Sequence, residues 1–162
     1  MTIGTIRDLG CSNKTVLLRL DLNSPIDPAS HHILDDKRFR EHLPTIHALS
    51  DARTVIITHQ SRPGKKDFTT LQEHAGKLEQ LLGSPVTYVD SIFGKHARDA
   101  VSSAKNGDVI MLENVRFNAE ENLTLKPEDA KKTHIVKKLG AMADVFVNDA
   151  FGTAHRAQPT VV

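Results

Sequence analysis

The chain has no tryptophan, and one tyrosine and one cysteine stand alone among its 162 residues. So few large aromatics exclude the stacking platforms on which single-stranded nucleic acids are held. The lone Cys11 rules out an internal disulfide and a thiolate metal cluster. It fits a reducing, cytoplasmic compartment. No run of about twenty apolar residues occurs, which excludes a membrane-spanning helix. The first residues lack the basic-then-apolar pattern of a secretory leader. Twenty-one basic residues face twenty acidic ones, a net charge of +1. A nucleic-acid binder carries a basic excess, so any anion recognition here has to be local. The nine glycines are scattered singly. Neither G-x-x-x-x-G-K-[ST] nor G-x-G-x-x-G occurs, so no glycine-rich nucleotide site is visible. There is no G-x-S-x-G elbow. His31 and His32 are adjacent but lack acidic or thiol partners at ligand spacing. They read as solvated loop residues, and no metal site is expected.

What is present is an alternation of short β-branched runs with longer helical patterns. The length suits one domain with a core of its own. The runs predict strands over 16–22, 54–59, 86–90, 108–113 and 144–148. Helices are predicted over 38–50, 70–82, 95–104 and 128–140. Leu71, Ala75, Leu78 and Leu82 recur at three- and four-residue spacing, as do Ile135, Val136, Leu139 and Met142, each set marking one buried helix face. Gly83 before Pro85 is a helix stop. Val55-Ile56-Ile57 and Val145-Phe146-Val147 are apolar throughout, which predicts strands covered on both faces, as in a parallel sheet between helices. The fold expected is a doubly wound, three-layer α/β/α domain with a Rossmann-like parallel sheet.

In such a sheet ligands bind beyond the carboxyl ends of the strands. Polar residues collect just past these runs: Asp21 and Asn23, then His59 and Arg62, then Glu113, Asn114 and Arg116, then Asn148, Asp149, His155 and Arg156. Arg38 opens the helix that follows the first long loop. Each has a plainer reading. Asp21 and Asn23 before Pro25 suit an Asx turn, Arg38 suits a solvated helix start, and Glu113 and Asn114 suit turn and cap groups. Their recurrence at one edge favours a shared site. Four arginines and a histidine with few carboxylates beside them predict a pocket for a small, highly anionic ligand, since the guanidinium fork matches phosphate and carboxylate. The chain breaks off at Val162 in an apolar run, from which a part of something longer is expected.

These residues carry a resemblance. Arg19-Leu20-Asp21-Leu22-Asn23-Ser24-Pro25 is similar to the first strand and loop of the phosphoglycerate kinase family. Asp36-Lys37-Arg38 with Leu43-Pro44-Thr45-Ile46, Thr58-His59-Gln60-Ser61-Arg62-Pro63, Glu113-Asn114-Val115-Arg116-Phe117 and the run from Asn148 to Arg156 resemble four further motifs in the family's order. The whole chain, 1–162, looks like the N-terminal half of that two-domain kinase. Gln60, Ser61 and Gln158-Pro159 lean towards its archaeal members.

The resemblance implies a glycolytic transferase of the cytoplasm that moves a phosphoryl group between ATP and the carboxylate of 3-phosphoglycerate, giving 1,3-bisphosphoglycerate. It implies that Asp21 and Asn23 hold the substrate's hydroxyl and carboxyl end, and that His59, Arg62, Arg116 and Arg156 hold its 3-phosphate. Arg38 would be the catalytic group, beside the transferring phosphoryl. Mg-ATP or Mg-ADP would be bound by a C-terminal nucleotide domain that is absent here, leaving no cofactor site in this chain. Without that domain the chain is expected to bind 3-phosphoglycerate weakly or not at all, and to be inactive. A stand-alone anion-binding module without catalysis is the rival reading; nucleic acid and membrane are not expected partners. Ser61 stands where the family often has glycine, which restricts the backbone there.

Overall fold

The computed structural model describes residues 4–153 and 156–161. Five strands form one parallel sheet: β1 (Thr15–Arg19), β2 (Arg53–Ile57), β3 (Val86–Val89), β4 (Val109–Leu112) and β5 (Val145–Asn148), in the order β3-β4-β2-β1-β5. The helices are α1 (Ile6–Leu9), α2 (Lys37–His47), α3 (Gln72–Leu82), α4 (Lys95–Ser103), α5 (Pro127–Ala130) and α6 (His134–Gly140). Three short 3-10 turns cover Val115–Phe117, Ala119–Asn122 and Phe151–Thr153. The doubly wound three-layer architecture expected from the sequence is the one observed.

Strand side chains alternate between faces, so each strand feeds two cores. Val16, Leu18 and Leu20 pack with Ile56 and Met111 beneath Phe39 and Ile46 of α2 and Ala75 and Leu78 of α3. Leu17, Val55, Ile57, Ile110 and Leu112 face the other way, under Ala97 and Val101 of α4 and Ile135 and Leu139 of α6. In-register pairs such as Leu17↔Val55 and Val55↔Ile110 keep these rows aligned. With both faces covered, polar groups gather at the strand ends.

Three expectations change. The helix expected over 128–140 is two, because the chain opens at Thr133, whose hydroxyl bonds back to Ala130 O at 2.6 Å. The Glu120 carboxylate then caps the new start, accepting from His134 N at 3.1 Å and Ile135 N at 2.8 Å. Residues 145–147 are not covered on both faces. β5 pairs only with β1, and Phe146 is 46% exposed. The first strand stops at Arg19, and Leu22 N donates to the Thr58 hydroxyl at 3.1 Å instead of continuing the ladder. Thus the chain leaves the sheet where the polar cluster begins.

His74 of α3 is buried, with Nε2 3.0 Å from Gln60 Oε1 and its ring 5.7 Å from that of Phe39. Burial lowers its pKa from 6.5 to about 4. The unfolded chain therefore takes up a proton that the folded one refuses, so His74 costs nothing above the unfolded value and an increasing amount as pH falls towards the folded one. Equilibrium unfolding of the wild type should lose up to ~3 kcal/mol between pH 7 and pH 4 that His74→Gln does not lose. Parallel curves for the two proteins would contradict this.

Candidate functional site

The carboxyl edge is built by the residues immediately past β1, β2 and β4 and by the turn after β5. Past β1, Asp21 is buried and its Oδ2 pairs with Nη1 of Arg38, the second residue of α2. Gly152 lies against the same carboxylate: a Cβ there would stand 3.0 Å from Asp21 Oδ2. Glycine is what lets the last turn close over Asp21. Asn23 reaches across to the turn past β2, its Oδ1 accepting from Ser61 N at 2.8 Å. Ser61 adopts φ +56°, the left-handed region that costs a non-glycine residue about 1 kcal/mol. The restriction expected for serine at this position is thus real. It is offset by Asn23, by the Ser61 hydroxyl on Asp67 Oδ1 at 2.6 Å, and by Arg116 Nη1, which donates to Ser61 O.

Past β4, Asn114 acts as a fastener. Its Nδ2 donates to Gln60 O at 3.0 Å and Thr69 O at 2.9 Å, while Glu113 Oε1 accepts from Leu71 N at 3.0 Å. The turn and cap reading of these two is the correct one. They hold Arg116 where the edge needs it, and Arg116 is itself mostly buried.

His59 is buried beside these cations. Burial foremost, then the charges of Arg19, Arg116, Arg156 and Arg38, push its pKa from 6.5 to about 2, so the ring is neutral. Burial first, then Arg156 and, further down, Arg62, lowers Arg116. Every arginine expected at the edge therefore acts on its neighbours there. Two cavities open side by side. One, about 310 Å³, is lined by Asn23, His59, Arg62, Lys65, Arg116 and Arg156 among others. The other, about 720 Å³, holds Asp21, Asn23 and Arg38. His155 lies outside the described residues. The expectation of few carboxylates holds for the smaller cavity, where Asp67 is the one acid in its lining among the described residues. It fails for the larger, where Asp35, Glu41, Asp67 and Asp149 join Asp21, because the loops after β1 and β2, α2 and the turn after β5 each bring an acid to the rim.

Sequence reading missed a second layer. His42 of α2 receives Asp21 N–H on Nε2 at 3.3 Å and donates from Nδ1 to Asp149 Oδ2 at 2.8 Å, where the Thr45 hydroxyl also donates at 2.6 Å. Arg19 and Glu121, both buried, form an ion pair under the smaller cavity at 3.9 Å. His42 and Thr45 lie three residues apart on one helix face next to the Arg38 motif, a spacing that marks them as partners of the same edge. Among the described residues no group of three His, Cys, Asp or Glu side chains is placed to hold a metal, and no helix is long and apolar enough to cross a membrane.

Fold and edge define the class: a doubly wound α/β domain with guanidinium groups gathered around a buried histidine at its carboxyl edge. Comparison with known proteins narrows the class. The phosphoglycerate kinase family model matches residues 6–162, and the chain belongs to that family. It is 66% identical over 161 residues to phosphoglycerate kinase of Methanocorpusculum labreanum, covering 99% of this chain and 40% of that protein. It is 53% identical over 160 residues to that of Methanothermobacter thermautotrophicus, covering 98% and 39%. The crystal structure of phosphoglycerate kinase from Pyrococcus horikoshii OT3 superposes with a TM-score of 0.95 at 46% identity, over 99% of this chain and 40% of that one. The lean towards archaeal members agrees with these relatives. The chain spans about 40% of the length of the relatives it matches.

The Ser61 turn yields a test. Ser61→Gly should change stability by less than ~1 kcal/mol, because relief at positive φ offsets the lost Asp67 hydrogen bond. Ser61→Val, β-branched at the same φ, should lose ~2 kcal/mol or more by denaturant midpoint. Equal losses for both would remove the backbone from the account.

Proposed function

We propose that the chain is the 3-phosphoglycerate-binding half of a phosphoglycerate kinase of glycolysis and gluconeogenesis, working in the cytoplasm. The observation that carries this is the smaller cavity, with Arg62, Arg116 and Arg156 around a neutral His59. Three guanidiniums and a neutral donor suit the three oxygens of a phosphate monoester, and Arg forks hold such oxygens in pairs. The adjoining cavity begins at Asn23 and leads to Asp21 and Arg38. A phosphorylated hydroxy acid anchored in the first would lay its hydroxyl and carboxylate along Asp21 and Asn23. Its carboxylate would then point towards Arg38.

In this reading the reaction needs no base from the chain, because the attacking carboxylate is already ionised. Phosphoryl transfer then depends on positioning and on cations placed where charge develops. Arg38 is the group for that task. Its side chain is 45% exposed and is held towards the cavity by Asp21. The second reactant would be a magnesium–nucleotide group. That group would belong to the C-terminal nucleotide domain, in the part of the relatives that this chain does not span. Closure of that domain over the edge would exclude water and protect the transferring group from hydrolysis.

Arg38→Ala in the full-length enzyme should lower kcat by roughly 100- to 1,000-fold while KM for 3-phosphoglycerate moves only a few-fold. Arg62→Ala and Arg156→Ala should mainly raise KM; unchanged KM in both would refute the phosphate assignment. In a coupled assay the 162-residue chain alone should give no ATP-dependent turnover above background. Clear turnover would sink the half-enzyme reading.

A further inference from the structure

Arg19 ends β1 and is fully buried, yet nothing in the reaction outlined above uses it. Its Nη2 lies 3.3 Å from His59 Nδ1 and 3.9 Å from Glu121 Oε1. Glu121 is fixed in turn by Thr160, which donates from N at 2.9 Å and from its hydroxyl at 2.5 Å. Among the described residues Arg19 Nε and Nη1 have no hydrogen-bond partner, so the contact with the histidine is a large part of what this side chain does. A guanidinium is a donor at every nitrogen and an acceptor at none. The histidine nitrogen facing it must therefore be the acceptor, and the ring's single proton must sit on Nε2. Nε2 has no hydrogen-bond partner among the described residues, and the ring lines the 310 Å³ cavity.

We propose that Arg19 is a positioning residue that fixes His59 as its Nε2–H tautomer, so that His59 serves the anion cavity as an uncharged hydrogen-bond donor. The phosphate-site reading supplies only the last clause; the tautomer belongs to the ligand-free chain. Glu121 has a defined part in this. Burial lowers Arg19 to about 10 and the carboxylate beside it opposes that shift, so the guanidinium is charged at neutral pH. An uncharged donor suits a cavity already full of cations. A protonated ring would face Arg19, Arg38, Arg116 and Arg156 at once, with Arg62, Lys65 and Asp67 on the same wall and Glu121 behind Arg19. His59 is the one imidazole lining this cavity among the described residues.

The test begins with the unaltered chain. Long-range proton–nitrogen NMR of its imidazoles at neutral pH should show His59 with Nδ1 unprotonated and Nε2 protonated, unchanged from pH 8 to pH 5.5. A protonated Nδ1, or a ring that titrates in this window, overturns the proposal. The second arm is Arg19→Met combined with Glu121→Gln, which removes both buried charges together. Sulfate is the probe, because its charge is constant over this range. Wild-type affinity should be flat between pH 8 and pH 6. In the double variant burial and the remaining arginines still keep His59 neutral, but its ring should populate the Nδ1–H tautomer and sulfate should bind ~3- to 10-fold more weakly. A folded variant whose His59 keeps the wild-type tautomer also overturns the assignment. If sulfate perturbs nothing in either protein while the tautomer is as expected, the anion-site reading fails and the role of Arg19 towards His59 stands.

Discussion

The constraint on which everything else rests is the closure of a parallel sheet on both faces. Once α2 and α3 cover one face and α4 and α6 the other, the central strands are lined mostly by apolar side chains along their length. Functional groups are left the strand ends, and parallel strands present all their carboxyl ends at one edge. Segments far apart in the chain then become neighbours: Ser24 N meets the side chain of Gln60, and Thr45 meets Asp149. The site is a consequence of the topology before any individual arginine is considered.

Concentrating cations at that edge has an electrostatic cost, and the structure meets it in two ways. Exposed arginines such as Arg38 and Arg62 keep contact with solvent, and Arg38 also keeps a carboxylate partner in Asp21. The buried Arg19 is instead matched by a buried Glu121, and the histidine among them is held uncharged. A buried pair of this kind adds little net stability, because desolvation offsets most of the attraction. Its value here lies in orientation: Glu121 ties Arg19 to Thr160, and Arg19 reaches His59. The floor of the cavity is thereby joined to the last described segment of the chain.

Much of this was legible from residue order. Apolar runs such as Val55-Ile56-Ile57 announced strands covered on both faces, and the spacing of Leu71, Ala75 and Leu78 announced a helix face. Positions of Asp21, Asn23, His59 and Arg116 at the edge followed from counting past the strands. What escaped has physical reasons. Arg19 lies between Leu18 and Leu20, in the middle of the strand expected over 16–22, so in sequence it reads as a strand residue and not as the base of a site. Glu121 sits in an acidic loop where solvation is the default, and only the fold reveals that Thr160 encloses it. The break at Thr133 depends on a cap on His134 from Glu120, fourteen residues earlier, which no local pattern encodes. Phe146 is apolar like its neighbours, but an edge position leaves one side of it open.

The central claim is that the carboxyl edge of this sheet is one phosphate-recognising site. Titration of the isotope-labelled chain with millimolar 3-phosphoglycerate, followed by amide and arginine side-chain NMR, tests it most directly. The account predicts that any shifts are confined to residues 19–24, 35–42, 58–67, 113–116 and 148–156, with the Arg62, Arg116 and Arg156 guanidinium signals among the largest. Shifts centred on the opposite edge of the sheet would contradict it.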